Sequence, residues 1–184
     1  MEAQKSIIAI NEFNGKFKIN ENYRPIAKSL VTKFDELMHI PVANILFIEN
    51  LEDERKKNNS TVYAQISKVP VKWEEIIYQV TGKHFEYMLE IFKENIQHMS
   101  REQIVALIYH ELRHVQRVQT KGGSKIDIVS HEVEDWINMV EKLGLNWATT
   151  KGQIYDLLDE SINWESIEGP MTLFPLETSL KLVK

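Results

Sequence analysis

The stretch His110-Glu111-Leu112-Arg113-His114 carries two imidazoles at i and i+4, with a carboxylate beside the first. On a helix this spacing projects both rings from one face, close enough to bind a single zinc ion. The glutamate falls where a carboxylate can take a proton from a water that the ion holds, so the pattern points to metal-assisted hydrolysis. Such a site needs a third protein ligand and an open fourth position. The chain has no cysteine, which leaves histidine and carboxylates as ligands. Of His39, His84, His98 and His131, the last is the leading third ligand. Gly122-Gly123 lets the chain reverse after the motif, and a histidine opening the next element can then approach it. Glu134 is the rival, with Glu132, Asp135 and Asp127 behind it.

These side chains need rigid elements to aim them. Ser100-Arg101-Glu102-Gln103 has the form of a capping box, and Met99 and Ile104 occupy the positions of a hydrophobic staple. The spacing predicts a helix from Ser100 to about Val118. On its wheel Glu111 sits at about 100° from His110, amid Leu107, Ile104, Val115, Ile108 and Leu112. An ordinary core helix accounts for histidines at the border of that arc but not for the glutamate inside it. A buried unpaired carboxylate costs several kcal/mol unless it is protonated, partnered or beside a cation. A second helix is expected from near Ser130, capped by Ser130 or Asp127, to Gly144. Asp127 or Asp135 is placed to orient a ligand histidine through its distal N–H.

Upstream, Ser6 to Ile19 reads as a short hairpin around Asn14-Gly15, and Glu21 to His39 as a helix with Pro25 in its first turn. Asn44 to Glu49 reads as a buried strand, Val62 to Ile66 as a second, and Ile76 to Val80 as a third. Phe85 to Phe92 alternates as a strand immediately before the motif helix, read either as a sheet edge where an extended peptide pairs or as an ordinary half-buried strand. A short helix is expected over Gln153 to Ser161, packed through Trp136, Trp147 and Trp164, and a strand over Leu180 to Val183. Together these give an α+β fold: a small mixed β-sheet backed by helices, with the motif helix and the following ligand helix forming the cleft. All 184 residues are expected in one domain, with a core about 62–144 and a helical segment and tail over 145–184.

Hydrophobic content of 43% and charged content of 27% fit a globular protein rather than a disordered one. The apolar run Ile7 to Ile10 is too short for a signal-peptide core or a membrane span, so a cytoplasmic location and no membrane partner are expected. Residues 126–184 carry 4 Lys and Arg against 11 Asp and Glu, which argues against a nucleic-acid surface there. Arg113, Arg117, Lys121 and Lys125 form a basic string, read first as cations favoured near a helix C-terminus, and second as a draw for an acidic segment or nucleic acid.

The run Ile108 to Val115, followed by Ser130-His131-Glu132-Val133-Glu134-Asp135-Trp136, resembles the phage metallopeptidase family and, more distantly, the SprT-like zinc peptidases. The likeness extends over roughly Val62 to Gly144. It implies a zincin-like fold, zinc ligands His110, His114 and His131, and Glu111 as the catalytic base. Similar sequences place Asp directly after the third histidine, where this chain has Glu132. The expected activity is that of a zinc metallopeptidase using one zinc ion on a protein or peptide substrate. SprT-like relatives commonly associate with nucleic acid, but no added DNA-binding module is visible in this chain. Two alternatives stand beside it: a catalytically silent zinc-containing phage protein that binds a host protein, and a metal-dependent hydrolase of non-peptide bonds.

Overall fold

The computed structural model describes residues 15–52, 56–57, 60–131 and 135–167. The chain enters through a short strand β1 (Phe17–Ile19) and turns into helix α1 (Tyr23–Lys33). Pro25 is tolerated in the first helical turn of α1, where a missing N–H leaves no bond unmade. The helix buries Tyr23, Ala27 and Leu30 and ends as Phe34 adopts an extended backbone. Strand β2 (Ile45–Asn50) comes next, then a minor ladder of β3 (Lys56–Lys57) and β4 (Ser60–Thr61), then strand β5 (Ala64–Lys68). Helix α2 (Val71–Thr81) leads to strand β6 (Tyr87–Phe92), one turn of helix α3 (Lys93–Ile96) and the motif helix α4 (Arg101–Arg113). Strands β7 (Val115–Thr120) and β8 (Gly123–Ile128) form a separate two-stranded ribbon, and helix α5 (Ile137–Leu143) closes the set.

The main sheet runs β1-β2-β6-β5, with β2 and β6 parallel and both outer pairs antiparallel. It is the small mixed sheet expected of an α+β chain. Registers Phe47↔Leu89 and Ile66↔Leu89 put those side chains on one face with Ile45 and Ile91. That face packs with Ala27 and Leu30 of α1 and Val105, Ile108 and Leu112 of α4 in one hydrophobic cluster, which extends to Ile167. Among the described residues, no helix is long and apolar enough to cross a membrane.

Helix α4 starts as the sequence indicates. Ser100 Oγ accepts from Gln103 N at 3.2 Å, and Gln103 Oε1 accepts from Ser100 N at 2.8 Å. Ser100→Ala is therefore expected to cost about 1 kcal/mol, read as a lower midpoint in chemical denaturation with an unchanged slope.

Six expectations need correction. The helix expected over Glu21 to His39 stops at Lys33, because Phe34 turns extended and Asp35–Leu37 winds as a separate tight turn. The motif helix stops at Arg113 with His114 as its C-cap, and Val115 to Thr120 is strand, not helix. Val115 and Val118 satisfy a helical stripe as well as a strand; the pairing of β7 with β8, around a turn that needs Gly123 at φ 117°, decides for the strand. Residues 76–80 form the last turns of α2. Trp73, Ile76, Ile77 and Val80 are spaced for a helix, and Gly82 ends it at φ 68° with its N–H on Tyr78 O. Strand β6 is interior, and the sheet edge beyond it is β5. The α-helix expected after the motif begins at Ile137, because Asp127 and Val129, near its expected start, belong to the ribbon and its base; it does end at Gly144. Gln153 to Ser161 is irregular chain with short turns, not helix. Asp156 and Asp159 side chains accept from Leu158 N and Ser161 N there, offering the backbone a local alternative. Most of the Ser6 to Ile19 hairpin, and the Leu180 to Val183 strand, lie outside the described residues.

Candidate metal centre

Three elements bring histidines together: the last turn of α4 supplies His110, its C-cap is His114, and the chain beyond β8 supplies His131. One ring nitrogen from each lies within 4.8 Å of the others. Ligands on a tetrahedral zinc sit about 3.3 Å apart, given Zn–N bonds of about 2.0–2.1 Å. The three nitrogens lie on either side of that spacing, one pair closer and none farther than 4.8 Å. His110 Nε2 and His131 Nε2 approach to 2.8 Å, so at least one of them presents a lone pair rather than a proton.

Each ring is aimed by what its other atoms meet. His114 Nδ1 lies 2.6 Å from the carbonyl of Val129 and donates to it, which leaves Nε2 for the cluster. That bond is local to the ribbon, since Val129 N also donates to His114 O at 2.8 Å. His110 Nδ1 faces Asp135 Oδ1 at 2.8 Å, an ion-pair distance that lacks the straight geometry of a hydrogen bond. Trp136 lies under all three rings and donates from Nε1 to His110 O at 3.0 Å.

At His114 and His131 the electrostatics favour the neutral ring, which is the form that binds a cation. Burial, reinforced by the neighbouring imidazoles, pushes His131 down to about 4. Burial likewise lowers His114, against the opposing pull of its bond to Val129. Burial alone would raise Asp135, but His110 and the Trp147 and Trp136 N–H groups outweigh it and hold the carboxylate ionised.

Glu111 is buried, and its Oε2 accepts from Ile66 N at 2.8 Å. Strand β5 makes this bond available. Phe92 N donates to Tyr63 O and Val69 N to Glu86 O, so odd-numbered positions of β5 bond to β6 and even-numbered ones face outward. Ile66 is one of the outward positions. Burial raises the Glu111 carboxyl despite this bond and the nearby His110. A cation at the histidine cluster would supply the stabilisation that the low-dielectric surroundings withhold. The donor set therefore fits a divalent ion: three imidazoles, no thiolate and an acidic neighbour.

Other candidate residues are placed elsewhere. Asp127 lies on β8, ion-paired to Lys68 at 2.6 Å and Lys125 at 2.5 Å. Asp135 stands behind His110 rather than among the three nitrogens. Glu132 and Glu134 lie outside the described residues. The basic string is not one surface: Arg113 lies over the Trp136 ring at 4.6 Å, Arg117 is exposed on β7, and Lys125 is tied to Asp127. Tyr109 donates its hydroxyl to Glu36 Oε1 at 2.5 Å, on the α1 side of the helix.

A family model described as "Putative phage metallopeptidase" matches residues 15–159 of the 184. The chain belongs to that family. The family implies a metal ion, and His110, His114 and His131 could hold one. The matched span of the metallopeptidase family includes all three histidines, Glu111 and Asp135. No curated protein and no solved structure matches the chain.

Sequence reasoning missed two parts of the site. The Ile66 N–H is invisible to composition, because a backbone donor has no residue signature. Trp147 reads as a plain core aromatic, and only the fold shows its indole N–H on Asp135 Oδ2 at 2.8 Å.

Proposed function

We propose that the protein is a zinc-dependent peptidase that hydrolyses peptide bonds, with His110, His114 and His131 as the ligands and Glu111 as general base. The observation that carries the reading is the juxtaposition of three converging ring nitrogens with a buried carboxylate one residue along the same helix. When bound, zinc would act as a Lewis acid and make an attacking water more acidic. Glu111 takes the proton from that water on its carboxylate and delivers it to the departing amine. The Ile66 N–H fixes the carboxylate while it does so. The peptide-pairing edge belongs to β5, where Ala64 and Lys68 direct their backbone groups outward beside Ile66. An extended substrate added there would run along the same edge that holds Glu111.

Elemental analysis of the purified protein tests the reading. The expected result is about one zinc per chain, falling to a small fraction in His131→Ala, since a three-ligand site loses a ligand. Equal metal content in both proteins would overturn it.

A further inference from the structure

We infer that Asp135 and Trp147 are positioning residues: together they fix the ring of His110 from behind, so that its Nε2 faces the cluster. Both oxygens of Asp135 are occupied. Oδ1 lies 2.8 Å from His110 Nδ1 and accepts from Trp136 N at 2.7 Å, while Oδ2 accepts from Trp147 Nε1 at 2.8 Å. The carboxylate cannot rotate without giving up a bond to one indole or one backbone amide. Trp147 is itself anchored, because its carbonyl accepts from Gln103 Nε2 at 2.8 Å and its side chain is buried. Gln103 is the capping-box residue of α4, and it also donates to Thr150 O at 3.1 Å.

The connections therefore form a closed circuit. The first turn of α4 grips the 147–150 segment, that segment grips Asp135, and Asp135 grips a histidine in the last turn of the same helix. Nδ1 of His110 is shielded from solvent, so no water competes for it. The carboxylate facing it favours the ring form with the proton on Nδ1, which leaves the Nε2 lone pair toward His131. Trp147 also stands beside the His110 ring, with centroids 6.0 Å apart, and limits its swing. His114 obtains the same result from a backbone carbonyl, so the two ligands of α4 are oriented by unrelated means.

The affinity arm of the test rests on the metal reading above; the ring arm does not. In a chelator competition with zinc, Asp135→Ala is expected to weaken binding by roughly 10–100-fold. Asp135→Asn, which keeps an acceptor oxygen, should recover part of that loss, and Trp147→Phe should show a smaller loss. In the metal-free protein, nitrogen NMR of labelled histidine should show His110 as the Nδ1–H form in the wild type and as a mixture in Asp135→Ala. If Asp135→Ala does not fold, Trp147→Phe reads both quantities with the ring retained. Unchanged zinc affinity and an unchanged His110 ring form in the folded variants would overturn the inference. A wild type that binds no zinc would sink the peptidase proposal, while the metal-free ring form would still decide this one.

Discussion

Replacing Glu111 with glutamine is expected to lower peptide hydrolysis by roughly 10²–10⁴-fold, the range that a general base contributes, while zinc content stays at that of the wild type. The isosteric amide keeps an oxygen for the Ile66 N–H, so the bond to β5 survives and helix α4 stays in place. What is lost is an atom that can accept a proton. Burial makes the contrast sharper, because the carboxyl of Glu111 is raised by its surroundings and glutamine removes an ionisable group from an apolar site. Equal or greater thermal stability of the variant in its metal-free form is expected for that reason. Activity assays on an unstructured protein substrate, run beside metal analysis, check both halves. Hydrolysis that survives the substitution would remove Glu111 from the chemistry and favour a protein that only binds.

The second large effect falls on Trp136. Its side chain is 1% exposed, its ring centroid lies 5.2 Å from His114 and 5.3 Å from His131, and Arg113 covers it at 4.6 Å. Trp136→Ala is expected to cost about 3–5 kcal/mol through the cavity and the unpartnered His110 carbonyl. Against a typical margin of about 5–15 kcal/mol, that loss approaches global unfolding. Trp136→Phe fills much of the space but removes the N–H on His110 O, so it should cost distinctly less. Urea denaturation of the two variants separates packing from the hydrogen bond. Equal losses would show that the bond, rather than the volume, holds this corner together.

Much of the site was legible because its signals are local. The capping box announced the start of α4, the i, i+4 spacing gave two converging rings, and Gly144 ended the last helix where expected. His131 also joined the cluster, although from a loop and not from the first turn of a helix. The expectations that failed depend on partners distant in sequence. Val115 to Thr120 chose strand because β8 was there to pair with it. Alternation in Tyr87 to Phe92 could not tell an interior strand from an edge, since both hide every second side chain. Helix α2 went unread for a different reason: none of its residues is buried, and Trp73 and Val80 remain 55% and 76% exposed. Its apolar spacing was helical all along, but Ile76 to Val80 alone is too short to show the period.

The ribbon of β7 and β8 is buttoned at its root. His114 and Val129 exchange backbone and ring bonds there, immediately beside the cluster, Asp127 is tied to Lys68 of β5, and the chain from Arg117 to Ile126 extends beyond these ties. Closing a loop at its root makes the nearby geometry largely indifferent to the length of chain farther out, since added residues bring only a slowly growing entropic cost. The tip around Lys121 and Gly122 is thus a splice point, where a tag, a reporter or a longer arm could be grafted without moving the imidazoles. The same tolerance would let related chains vary their ribbons freely while the three histidines stayed in place.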